Sequence, residues 1–196
     1  MTSNGGATWK SERLPKGVTR TTSVSCPTAS DCWATGAHTI IASTDGGLSW
    51  ARQAIESGRT TFFGVDCPTN STCFAVGDTA SRSKPPTYSG LVVATSNAGV
   101  SWTTQSLPRD VSDLDSVSCA TQSYCQAVGT EQPVGIENSG APTALSTSTG
   151  GASWHAEQLP AGLQAISGIA CPVATQCWAI GTTPGDIDIL STFAAP

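Results

Sequence analysis

The chain has 196 residues, of which 38% are hydrophobic and only 12% charged, and Ser, Thr, Gly and Ala are prominent. A net charge of −5, an isoelectric point near 4.8 and nine scattered Lys and Arg argue against a nucleic-acid partner, which needs clustered cations. No apolar stretch reaches the ~18 residues of a membrane span, and no basic-then-apolar leader follows Met1.

In chain order, the first feature is a motif running from Thr2 to Trp9 and leading into a short strand. A strand follows at Ser23-Val24-Ser25-Cys26, where Val24 and Cys26 alternate with Ser23 and Ser25. A second begins at Cys32 and ends in Trp33-Ala34-Thr35-Gly36, and a third is the apolar run Thr39-Ile40-Ile41-Ala42. Ser43 to Trp50 repeats the opening motif and starts a fourth strand. The same order then recurs. Gly64-Val65-Asp66-Cys67, Ser116-Val117-Ser118-Cys119 and Gly168-Ile169-Ala170-Cys171 are first strands. Phe74-Ala75-Val76-Gly77, Gln126-Ala127-Val128-Gly129 and Trp178-Ala179-Ile180-Gly181 end second strands. Thr95 to Trp102 and Thr147 to Trp154 carry the tryptophan motif, with fourth strands expected over Trp102–Pro108 and Trp154–Pro160. A last third strand spans Asp186 to Ser191. No segment has helical periodicity.

The cysteine pairs and the tryptophan motifs share the same offsets of 41, 52 and 52 residues. Four antiparallel strands at this period are the signature of a propeller blade. The expected fold is therefore all-β, a single β-propeller domain over 1–196 of four four-stranded blades. The repeats span approximately 17–57, 58–109, 110–161, and 162–196 together with 1–16. The phase of the repeat gives the N-terminus a spare outer strand and leaves the last blade without one. An N-terminal strand completing the last blade would remove exposed sheet edges. One chain closing as a four-bladed ring, a dimer closing as an eight-bladed ring by strand exchange, and an excised part of a longer array all satisfy this phase.

Each C-x5-C pair spans one hairpin of a different blade, which favours the local bridges Cys26–Cys32, Cys67–Cys73, Cys119–Cys125 and Cys171–Cys177. Metal sites more often use closer thiolate spacing, and two histidines supply no mixed set. Such small rings contribute on the order of 2 kcal/mol each through loop closure. Disulfides imply an oxidising, extracellular or cell-surface location. No metal and no cofactor are expected.

The segment Ser43-Thr44-Asp45-Gly46-Gly47-Leu48-Ser49-Trp50 resembles the Asp-box, or BNR repeat. The resemblance implies structural roles for Asp45, Gly47 and Trp50, and for Asn4 and Trp9, Asn97, Gly99 and Trp102, and Gly151 and Trp154 in the weaker copies. Asn4, Asn97 and Thr149 replace the aspartate, so weaker turn caps are expected there. Together with the Ala-Val-Gly ending of the second strands, the whole chain is similar to bacterial secreted propellers of the photosystem-II-assembly-factor-like group. Sialidases, sortilin-type receptors and some glycoside hydrolases also carry Asp-boxes, so the motif speaks to fold and not to function.

No catalytic set emerges. Arg13, Arg20, Arg52, Arg59, Arg82 and Arg109 do not occupy equivalent inner-strand positions, and neither Tyr88 nor Tyr124 has the setting of a nucleophile. His38 and His155 lie near different strands. Asp66 and Asp115 sit on neighbouring first strands, where a glycosidase would need two carboxylates across a cleft; a satisfied channel residue is the plainer reading of Asp66. Trp33, Phe74 and Trp178 share one repeat position, broken by Gln126, and fit blade packing better than sugar pockets. Two longer loops, Asp78–Gly90 with Arg82, Lys84 and Tyr88, and Thr130–Pro142 with Glu131, Glu137 and Asn138, project from one rim. Ligand-bearing and merely decorative loops fit this equally. The expected function is a non-catalytic binding or scaffold domain of an exported protein with a protein or glycan ligand on the rim. A lectin-like propeller and a degenerate glycosidase fragment are the alternatives.

Overall fold

β-Branched and small residues in runs of five to nine, punctuated by Gly, Pro and Asn, dictate short strands joined by tight turns. The computed structural model describes residues 1–55, 58–131 and 140–193. Its first sheet is β1 (Ser23–Ser25), β2 (Cys32–Gly36), β3 (Thr39–Ser43) and β4 (Ala51–Arg52). The second is β5 (Thr60–Asp66), β6 (Cys73–Ala80), β7 (Tyr88–Thr95) and β8 (Thr103–Thr104). The third is β9 (Val111–Cys119), β10 (Cys125–Glu131), β11 (Ala141–Thr147) and β12 (His155–Ala156). The fourth holds three strands, β13 (Ala165–Val173), β14 (Gln176–Thr183) and β15 (Asp186–Phe193). Every pairing within these sheets is antiparallel, and the described residues contain no helix.

The sheets stack face to face in sequence order. Trp33, Ile40 and Ala42 of the first pack on Phe62, Val65, Leu91, Val93 and Trp102 of the second. Phe74, Val76 and Val92 then pack on Leu114, Val117, Ala127, Leu145 and Trp154 of the third. Val128 and Ala144 meet Ile166 and Ala179 of the fourth. In β6 the alternating side chains fill two different seams, Cys73 and Ala75 behind, Phe74 and Val76 in front, so Cys73 to Val76 are apolar in succession. β14 has the same pattern but only one covered face: Cys177 and Ala179 are buried, whereas Trp178 and Ile180 are exposed.

All four expected disulfides form, Cys26–Cys32, Cys67–Cys73, Cys119–Cys125 and Cys171–Cys177, and no cysteine is free. Their Cα atoms stand 4.0 to 4.1 Å apart across the hairpin joining first and second strands.

Two expectations are corrected. The fourth strands are two residues long, not seven. One further bond, such as Gln105 N–H to Val92 O at 2.9 Å, extends the pairing before the chain leaves for the next sheet. The N-terminal segment forms no strand and is not paired to β15. Met1 and Lys10 instead exchange two bonds, of 2.6 and 2.9 Å, at positions 41 residues before the paired Ala42 and Ala51. This hairpin lies behind the first sheet. The Met1 sulfur would stand 3.9 Å from a Cβ on Gly47, as Trp33 and Gln53 approach Gly99 in the next repeat. Arg52 secures the following segment by donating to the Lys16 carbonyl. Repeat register explains the placement: the hairpin is built as the outer part of a preceding sheet.

The glycine closing each second strand is explained by crowding. A Cβ on Gly36 would fall 2.1 Å from the Arg20 carbonyl oxygen just before β1, and one on Gly77 or Gly129 1.9 or 2.3 Å from a first-strand carbonyl oxygen. In the second and third sheets a register shift of the first strand brings that backbone close. Gly77→Ala is expected to cost about 1–3 kcal/mol as overpacking against backbone. A urea midpoint equal to that of the wild type would contradict this account.

Candidate functional site

The four tryptophan turns share one geometry. Asp45 Oδ1 accepts from Ser43 Oγ (2.8 Å) and Ser49 N–H (2.9 Å), and Oδ2 accepts from Ser49 Oγ (2.5 Å). These bonds, led by the Ser49 hydroxyl and then its N–H, hold the Asp45 pKa down to about 2. Ser43 Oγ takes the Gly47 N–H at 2.8 Å, and the Trp50 indole donates to Gly47 O at 3.0 Å. Asn4, Asn97 and Thr149 accept the corresponding N–H of Thr8, Ser101 and Ser153 at 3.0 Å each, so the backbone cap survives every replacement of the acid. Gly47, Gly99 and Gly151 have φ of 87°, 84° and 86°, the left-handed region glycine tolerates. Trp9 is 75% exposed, while Trp102 and Trp154 are buried by the preceding sheet. Trp154 meets Phe74 edge to face at 6.3 Å.

The inner strands do not leave their edges bare. Ser23 and Ser25 hydroxyls accept the N–H groups of Val65 and Cys67 in the next sheet, at 3.3 and 3.1 Å. Asp66 accepts Cys67 N–H at 2.9 Å and Ser25 Oγ at 3.2 Å on Oδ1, and Cys119 N–H at 2.7 Å on Oδ2. Ser116 and Ser118 treat Ile169 and Cys171 likewise, at 3.3 and 2.9 Å. Both Asp66 oxygens are therefore committed to joining sheets. Gly168 and Ala170 bring no acceptor to the equivalent positions.

Asp115 stands apart from Asp66 and belongs to a different cluster. Burial, then the charge of Asp113, raises its pKa; burial, then Asp113 and Asp115, raises that of Asp78. These three acids lie in the seam between second and third sheets, and Asp78 is 8% exposed. No His, Cys, Asp or Glu group among the described residues is arranged to hold a metal. Tyr124 OH accepts from Gln126 Nε2 at 2.7 Å, and Arg59 donates to the Ser81 carbonyl. His38 occupies a turn and His155 an outer strand. Trp33, Phe74 and Gln126 are buried between sheets, leaving Trp178 as the exposed member of that set.

The first loop turns the second strand β6 into the third strand β7, and most of the second, between β10 and β11, lies outside the described residues. Extended pairing narrows the first to residues 81–87. Ser81 Oγ takes the Thr87 N–H at 2.9 Å, and Ser83 Oγ donates to the Pro85 carbonyl at 2.9 Å. Tyr88 is 52% exposed. In the second loop Glu131 ends β10, whereas Glu137 and Asn138 lie outside the described residues. Near the base of the first loop lies a cavity of about 330 Å³, lined by Ile55, Thr60, Phe62, Thr79, Leu91, Val93, Trp102 and Thr104 among others. Two of its buried polar atoms, Thr60 Oγ1 and Trp102 Nε1, have no hydrogen-bond partner. Sequence reasoning missed this cavity because its wall gathers residues of all four strands of the second sheet and of the segment leading into it.

No family model and no curated protein matches the chain. Solved structures do. YCF48 bound to D1 peptide overlays 86% of this chain and 64% of its own, with a TM-score of 0.52 at 16% identity. YCF48 from Cyanidioschyzon merolae matches at 0.52 and 19% identity, over 86% of this chain and 57% of that one. An ancestral GH74 enzyme reaches 0.63 at 16% identity, over 89% of this chain and 24% of that one. The fold is that of a β-propeller. The chain thus spans under two thirds of these propellers' own lengths, and its four sheets are blades of the shared kind. No helix among the described residues is long and apolar enough to cross a membrane.

The acids carry opposite pH signs. Asp45 contributes stability above its ordinary value of 3.8, lost as pH falls through about 2. For Asp78 the stabilised form is the protonated one, so its contribution is full below 3.8 and lost as pH rises through the elevated pKa. Asp78→Asn is expected to be more stable than the wild type at neutral pH, the difference closing on acidification. Urea midpoints across a pH series check this; a variant destabilised at neutral pH would refute it.

Proposed function

We propose that this chain is a non-catalytic binding or scaffold propeller of an exported, bacterial-type protein, with its tryptophan turns acting as Asp-boxes and its ligand held at the loop-bearing rim. The cavity beside residues 81–87 carries the reading: apolar walls suit an aromatic or aliphatic side chain, and the unpartnered Thr60 hydroxyl offers one oriented polar contact. A protein ligand is favoured, in keeping with a propeller solved with a bound peptide. Four disulfides support an oxidising, extracellular-type location. The non-catalytic reading draws on Asp66, whose oxygens are engaged in backbone capping, and on the separation of Asp115 into another cluster. A glycan ligand is the second reading, resting on the likeness to GH74 enzymes.

Peptide and glycan arrays, with hydrolysis of reporter glycosides, separate these readings. Peptides with a large apolar side chain should bind the wild type and lose binding in Thr104→Trp, which fills the cavity from an exposed strand position without a change in melting temperature. Glycan binding that survives Thr104→Trp would defeat the rim reading, and turnover of any reporter would defeat the non-catalytic one.

A further inference from the structure

The contact that holds neighbouring blades together is left half-made at each end of the array. On the front of the fourth blade, Ile180 pairs across the strands with Ile189, and Thr182 with Ile187. Ile180, Ile187 and Ile189 are 53, 79 and 74% exposed, and Trp178 on the same face is 44% exposed. The matching front of the second blade, Phe74, Val76 and Val92, is at most 1% exposed because the third blade covers it. The back of the first blade shows the complementary deficit. Val24 is 61% exposed, Cys26 is exposed and Trp50 is half-buried, whereas their counterparts Val65, Cys67 and Trp102 are 5, 5 and 9% exposed. Trp102 and Trp154 rest against Trp33 and Phe74 of the blade before. Trp178 is the same seat with no indole on it, and Trp50 is an indole with no seat.

We propose that the front of the fourth blade receives the back of the first blade of a second copy of this chain, and that two copies joined reciprocally close one ring of eight blades. The argument is continuity with an existing interface: three seams of this kind already hold the chain together, and the two uncovered faces are its two halves. Closure within one chain would need four blades to meet at right angles. Instead, 86 to 89% of the chain overlays a stretch of longer propellers, and the fourth blade's face is left open. The partner's N-terminal hairpin, held behind its own first blade by the Met1–Lys10 pair, then stands beside β15, where a fourth strand belongs. Forming the second seam is intramolecular once the first exists, which favours a closed pair over an open polymer.

The seam between copies differs from internal seams in one respect. Gly168 and Ala170 stand where Ser23 and Ser25, or Ser116 and Ser118, cap the next inner strand, so the seam between copies lacks those capping bonds. The pair therefore dissociates without unfolding. This inference is independent of what the rim binds.

Sedimentation of the intact chain across a dilution series is the test. The wild type should show twice the 19.9 kDa chain mass. Ile189→Glu and Trp178→Asp, at exposed positions that leave the fold's circular dichroism unchanged, should run at the single-chain mass. Val100→Glu, at a position 78% exposed but away from the seam, should keep the doubled mass. Ala170→Ser, which restores one cap, should lower the dissociation constant roughly twofold to tenfold. A wild type of single-chain mass at every concentration, a species larger than two chains, or a doubled mass that survives Ile189→Glu would each overturn the proposal.

Discussion

A blade of this propeller has two apolar faces and no means of hiding either alone. The second strand of each blade is the clearest expression of that constraint. β6 sends Cys73 and Ala75 into one seam and Phe74 and Val76 into the next, so the sheet is stable only between neighbours. Stability in such an array is a sum of blade and seam terms, with the ends weakest. The contrast between Val76, fully buried, and its counterpart Ile180, 53% exposed, shows how much of a residue's role comes from the neighbour and how little from its own strand.

Packing of faces leaves a second difficulty, the inward edges of the first strands, whose N–H groups meet no further strand. Side chains from the preceding blade meet this need. Ser25, Asp66 and Ser118 occupy one repeat position and cap Cys67, Cys119 and Cys171 in turn. Asp66 caps Cys119 with one oxygen and takes Cys67 N–H and the Ser25 hydroxyl on the other, while its neighbour Gly64 carries no acceptor and is crowded by the backbone of Asp115 and Ser116. Both oxygens of this carboxylate are engaged by N–H and hydroxyl groups of the first strands. The same arithmetic of donors and acceptors identifies Thr60 as a polar group that the fold leaves unused.

Much of this was legible in the residues. Paired cysteines at constant offset, the apolar second strand and the tryptophan turn are local signals repeated four times, and repetition separates signal from coincidence. The closing glycines could be read as strand ends, although their cause, a carbonyl in or just before the first strand about 2 Å from the missing Cβ, needed coordinates. The placement of residues 1–12 was not legible, because the same hairpin fits behind the first blade or beside the last, and only contacts such as Met1 with Gly47 distinguish them. The short outer strands were overextended because proline marks where a strand must stop, not where pairing has already ended. The cavity gathers residues from 55 to 104, and the cluster of Asp78, Asp113 and Asp115 joins two blades, so no periodicity announces either.

Each sulfur bridge joins residues six apart inside a single hairpin, and none ties one blade to another. Duplication or loss of a whole repeat therefore adds or removes cysteines two at a time, already matched, and leaves no orphan thiol to scramble the rest. During oxidation the correct partner is always the nearest one along the chain. A gene encoding such units could lengthen or shorten without renegotiating its covalent chemistry, so disulfide pairing places no limit on blade number.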